Sequence, residues 1–239
     1  MGLLLCLAVV LWDEPATDAA LQSVFVDDSA EWSDELKAEF QALDDDRRKY
    51  FVAMLTENWP RSKAGSTGEL TVFADGISID QILTADSAIV STTGGKVWLT
   101  GINTSDLADD DAVNCDGFAF VSEGNQTYTT VIGGTKTVDK LRGFSVRHAD
   151  ELIQSVLARR GYRMFKVERV ESRPWIIVTV SSITKLSVSV TEYGQKKPFK
   201  LSSDYFDAAG RAWLSDKANV KAMQKTKREW DASEKLKKQ

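Results

Sequence analysis

His148 is the only histidine in 239 residues, and Asp150 and Glu151 follow it closely. Imidazole beside carboxylates suggests acid–base or metal chemistry, because its charge changes near neutral pH and either ring nitrogen can ligate. Both roles need partners from elsewhere in the chain, and none can be identified; a solvated histidine at a helix start needs none. Ser182-Ile183-Thr184-Lys185 fits the Ser-x-x-Lys spacing, in which a lysine one helical turn on takes the serine proton. Its flanks, Val178-Thr179-Val180 and Leu186-Ser187-Val188, are strand sequences, and in a strand positions three apart face opposite sides. Gly133-Gly134-Thr135-Lys136-Thr137 has the look of a phosphate loop, but threonines stand where the two required glycines belong. Asp106, Asp109, Asp110 and Asp111 are weak candidates for metal ligands, able to offer oxygens to calcium. The calcium-loop spacing is absent, and a solvated acidic loop is the favoured reading. With Cys6 and Cys115 as the only cysteines, no Cys/His zinc set can be assembled. No catalytic residue and no cofactor follow from this inventory.

Charge separates the chain more clearly than chemistry does. Residues 1–120 carry a net −15 and residues 121–239 a net +10, within a total of −5. Such asymmetry marks interaction surfaces, or halves that neutralise each other in the fold or in an oligomer. Residues 68–141 hold 11 acids and 3 bases, the wrong sign for tracking phosphates. Residues 196–239 hold 12 bases and 6 acids. There Lys217, Lys221, Lys225, Lys227, Arg228 and Trp230 form a candidate interaction surface for an acidic protein, nucleic acid or anionic lipid.

The elements that would position these residues follow from periodicity. Trp32, Leu36, Phe40 and Leu43 recur at helical spacing, with Ser33 a natural N-cap. The stripe resumes at Tyr50, Phe51, Met54 and Leu55 and is expected to stop at Trp59-Pro60. From Gly68 the period becomes alternating, and five or six short strands are expected up to about Leu141, forming a small antiparallel β-barrel. Its clearest signal is Thr127 to Ile132, then Gly133-Gly134, then Thr135 to Val138, two β-branched runs joined by a glycine turn. A helix is expected from Arg147 to Arg160, ended by Gly161. Strands return at Phe165 to Val167, Trp175 to Val180, Leu186 to Val190 and Pro198 to Leu201. Ser202 and Ser203 then suggest a cap for a helix carrying Tyr205, Phe206, Trp213 and Leu214. Residues 215–239 read as an exposed or frayed helix. Leu3 to Trp12 is ten uncharged residues, the length of a signal-peptide core, and small residues follow at Ala16 to Ala20. No basic residue precedes it, so the expectation is a truncated signal over 1–20, with a buried apolar segment as the alternative.

Two stretches resemble known families. Tyr128 to Val138 (YTTVIGGTKTV), with Val97 to Thr104 before it, resembles uncharacterised proteins of planctomycete-type bacteria, which are typically exported and bring no known activity. Arg163 to Leu214 is similar to the Sla-homology (SHD-type) domain. That family runs Arg-x-Trp, two strands, a glycine-containing turn, a strand ending Pro-Leu-x-x-Leu-Ser, and a short helix. Here Arg163-Met164-Phe165, Gly194-Gln195 and Pro198-Phe199-Lys200-Leu201-Ser202 occupy those places, with phenylalanine for tryptophan. The resemblance implies a small β-barrel that contacts protein, and no binding residue is carried over from it.

The expected architecture is therefore α+β and mainly β. It comprises an acidic helical segment (27–60), a central β-barrel (68–144), a connecting helix (145–161), a small β-module (162–214) and a basic helical tail (215–239). The expected role is non-catalytic interaction with a protein or with the cell envelope, in an exported bacterial protein; without a signal peptide the location would be cytoplasmic. A hydrolase acting on peptide or glycan through scattered carboxylates is one alternative, and it needs two carboxylates facing one cleft. Binding of nucleic acid through the tail is another. Partner identity and oligomeric state are not written in the sequence, and no segment reads as a transmembrane span.

Overall fold

A computed structural model of the chain describes residues 32–56, 60, 64–73, 77–168 and 175–237. The expected signal segment, Cys6, the acids before Trp32 and the Trp59 helix stop lie outside the described residues. The molecule is mostly β, with two sheets and flanking helices. Helices α1 (Asp34–Gln41) and α2 (Asp45–Leu55) lead in. Ser33 Oγ accepts from the Leu36 amide and Asp44 from the Arg47 amide, so each helix begins on a side-chain cap. Helix α2 closes at Thr56, where the threonine hydroxyl donates to the Val52 carbonyl.

The first sheet contains β1 (Leu70–Thr71), β2 (Ile77–Thr84), β3 (Ser87–Thr92), β4 (Gly95–Thr100), β5 (Ala112–Val113), β6 (Phe118–Thr129) and β7 (Thr135–Ser145). Its order is β1-β6-β7-β4-β3-β2-β5, curled into a half-barrel. Every pairing is antiparallel except β4 with β7, which run parallel from Val97↔Asp139 to Thr100↔Arg142. That pair arises because the chain leaves β4, crosses the acidic loop, and returns through the β6–β7 hairpin beside it. At the hairpin the alternating run to Ile132 does not stay in strand. Strand β6 ends at Thr129, and Val131 and Ile132 occupy a tight turn closed by the Gly133 amide donating to the Thr130 carbonyl. Gly133 takes the left-handed conformation (φ 81°) that a three-residue hairpin loop requires. The two apolar tips are consequently 81% and 92% exposed.

Helix α3 (Arg147–Arg159) follows, and Gly161 (φ 71°) ends it as expected. The second sheet contains β8 (Arg163–Lys166), β9 (Trp175–Ile183), β10 (Ser187–Glu192) and β11 (Phe199–Ser202), in the order β11-β10-β9-β8. Ser203–Tyr205 forms only a short 3-10 turn, and helix α4 (Ala208–Ser215) is capped by Asp207, whose carboxylate accepts from the Gly210 amide. The serine cap expected from sequence is therefore displaced by Asp207, because buried Phe206 holds the intervening backbone extended. Helix α5 (Lys217–Lys237) completes the molecule, as one continuous 21-residue helix rather than a frayed tail.

Three cores hold these pieces. Alternation along β6 sends Phe120 to the half-barrel core and Ala119 and Val121 to the opposite face. Likewise β9 sends Ile176, Val178 and Val180 to one face and Ile177 to the other. Those reverse faces meet α1, α2 and α3 in one shared core, where Trp32, Phe40 and Phe51 pack edge-on at centroid distances of 5.0–6.0 Å. The third core lies between the second sheet, α4 and α5.

Candidate interaction surface

Helix α5 is fixed in place by an apolar stripe and by one close approach. Val220 and Met223 are buried against the second sheet, and Gln224 donates to the Val180 and Ser181 carbonyls at 3.1 and 2.9 Å. One turn on, the helix backbone at Lys227 passes so near Gly161 that a β-carbon there would collide with it. Around this crossing sits a cluster of cations and aromatic rings. The Arg160 guanidinium lies 5.4 Å from the Trp230 ring and 6.0 Å from the Tyr193 ring, and it donates to the Tyr193 hydroxyl. Lys227 lies 5.1 Å from the Tyr162 ring and pairs with Asp231. Of the six tail residues singled out in the sequence, Lys227 and Trp230 are thus turned to the fold and partly buried, and they lock α5 down.

The other four face solvent together. At about 100° per residue, Lys217, Lys221, Lys225 and Arg228 fall within an arc of about 80°, and Lys235 continues it. Asp216 and Glu234 lie well outside the arc, and Glu229 and Asp231 flank it about 40° beyond its two edges; Glu229 reaches Lys225 at 3.8 Å, both side chains well exposed. The result is a straight basic stripe about 27 Å long. An exposed pair such as Lys225–Glu229 contributes little stability, so the stripe is not held by its internal pairing.

The remaining sequence candidates are placed differently. The acidic loop is pinned to β2: Asp110 donates its amide to the Ile79 carbonyl and Ile79 donates to the Asp111 carbonyl. Asp109 accepts from the Ile82 amide and Asp111 from the Ala108 amide, so two of the four carboxylates cap backbone. Asp106 is exposed, and no group of three or more His, Cys, Asp or Glu among the described residues is arranged to hold a metal ion. His148 is exposed, 3.7 Å from Glu151. Ser182 lies on β9 and Lys185 beyond its end, in the β9–β10 turn.

A shallow cleft of about 550 Å³, lined by Arg147, Asp150, Glu151, Gln154 and Met164, escaped the sequence analysis. In it Asp150 accepts a hydrogen bond from fully buried Tyr50 at 2.9 Å. Burial pushes the Asp150 carboxyl up to about 6, with the Tyr50 bond opposing and Glu151 adding to the rise. The same burial and the facing carboxylate raise the Tyr50 phenol well above its ordinary value. Asp150 and Glu151 share the cleft, yet successive helix positions diverge by about 100°. They are not the opposed carboxylates that the hydrolase alternative needs. The one signal of this cleft in the sequence was an acid inside an otherwise apolar helix stripe, and its partner lies 100 residues away.

No family model, curated protein or solved structure matches the chain. No helix among the described residues is long and apolar enough to cross a membrane.

Proposed function

We propose that this is a non-catalytic interaction protein that binds an acidic protein surface through the exposed face of α5. The supporting observation is the basic stripe itself: four cations on one face of a helix whose other faces are anchored by a buried stripe, a glycine crossing and a cation–aromatic cluster. A surface held this way loses little conformational freedom on binding. Export to the cell envelope belongs to the same proposal, on the strength of the uncharged Leu3–Trp12 run; recovery of the expressed protein in a periplasmic fraction would support it, and its confinement to the cytoplasm would remove it.

The test of binding uses the full chain with polyglutamate, duplex DNA and vesicles containing anionic lipid. Polyglutamate is expected to bind with an affinity that falls as salt rises, and the triple variant K221E/K225E/R228E is expected to lose that binding. Preference for DNA over polyglutamate would move the assignment to nucleic acid, and preference for vesicles would move it to a lipid surface. Binding unaffected by the triple variant would remove α5 from the site.

A further inference from the structure

We propose that β11, the free edge of the second sheet, accepts an extended acidic segment of a partner protein as a fifth strand. This site lies on a different element from the α5 stripe and does not depend on it.

The backbone supplies the first argument. Among the described residues strand β11 is outermost in its sheet and pairs only with β10, in the register Ser187↔Ser202 to Val190↔Phe199. The Ser203 amide donates to the Leu186 carbonyl, which fixes the antiparallel alternation. Residues 199, 201 and 203 direct their polar groups to β10, so Lys200 and Ser202 direct theirs outward. An outward row of N–H and C=O groups is the template for strand addition.

Side chains say which strand would fit. Phe199 and Leu201 share the face of Val188 and Val190, the third core's face. Phe199 is 38% exposed, so it leaves apolar surface at the sheet edge. Lys196, Lys197 and Lys200 are all exposed around the strand, and Lys185 stands next to Leu186; among the described residues none of the four makes an ion pair. A second copy of this edge would set lysine against lysine, which disfavours self-pairing. The complementary occupant is an acidic strand alternating with apolar residues: apolar side chains over Phe199 and Leu201, carboxylates beside Lys200.

Ser202 offers a clean test. Its φ of −66° and ψ of 146° suit proline, and its amide is not used by β10, so Ser202→Pro removes one outward donor without breaking the sheet. The probe is an alternating valine–aspartate peptide of about ten residues, long enough to overrun the strand, with an alternating valine–lysine peptide as control. Binding of the acidic peptide to the full chain is expected by fluorescence anisotropy, with slowed hydrogen exchange at the Lys200 and Ser202 amides. S202P and K200E are each expected to weaken it about tenfold, whereas K221E/K225E/R228E is expected to leave it intact. Absent binding, equal binding of the lysine peptide, or binding lost only in the α5 variant would overturn the proposal. Unchanged exchange at Lys200 and Ser202 under saturating peptide would do so even if S202P failed to fold.

Discussion

Burial raises the Asp150 carboxyl, and the direction of its effect on stability follows from that. Its carboxyl sits at about 6 in the fold against an ordinary 3.8, so the fold prefers it protonated. The contribution is fully present below about pH 4 and is lost as pH rises through 6, at most about 3 kcal/mol. Asp150→Asn keeps an acceptor for the Tyr50 hydroxyl and cannot ionise. It is expected to raise stability by about 1–2 kcal/mol near pH 7.5 and to change little near pH 4, measured by urea melts at both values. Equal effects at the two pH values would mean that burial of charge is not the cause. The buried Cys115 thiol, pushed up to about 12 by burial and then by Asp116, has no comparable pH effect in this range. Helix position made Asp150 readable as a first-turn acid. Its burial was not readable, because Tyr50 and Asp150 meet only after α2 packs on α3.

Two left-handed glycines separate what local sequence specifies from what packing adds. Gly133 was legible as a turn residue, and nothing lies within 4 Å of a β-carbon placed there. Gly133→Ala should therefore cost only the conformational strain, about 1 kcal/mol. Gly161 was legible as a helix stop, but its approach to Lys227 on α5 was not, since the two are 66 positions apart. Gly161→Ala should cost about 2–4 kcal/mol, strain plus displaced packing, and should loosen α5. A solvent shift in Trp230 emission in a background retaining that fluorophore would report the loosening; equal costs for the two substitutions would show that the α5 crossing is not tight. The same distinction explains the hairpin. Alternation through Val131 and Ile132 reads as strand, yet the loop geometry around Gly133 expels both to solvent, and replacing both with serine is expected to change stability by no more than about 0.5 kcal/mol.

At the scale of the molecule, composition showed a charge asymmetry and periodicity showed two β-regions, but neither showed how they are joined. The junction is the shared core: α1, α2 and α3 bury Phe51, Leu152 and Ile153 against Ala119 and Val121 of the first sheet and against Ile177 of the second. Electrostatics follows the same seam. Arg142 on β7 bridges Asp46 on α2 at 2.7 Å and Glu123 on β6 at 2.9 Å, while Lys166 on β8 pairs with Asp116 before β6. The Lys166 pair is partly exposed and is worth little, so the apolar seam must carry the coupling. If it does, the two sheets cannot unfold separately, because either one alone would leave the helical layer's apolar face in water. Trp98 on β4 and Trp213 on α4 should then report one coincident urea transition, read in variants that keep one or the other tryptophan. Ile153→Ala, which opens a cavity in the seam, should lower both transitions together by about 2–5 kcal/mol, whereas Lys166→Ala should move neither by more than about 0.5 kcal/mol. Two separated transitions, or an Ile153→Ala effect confined to one tryptophan, would show instead that the sheets are independent domains that merely touch at α3.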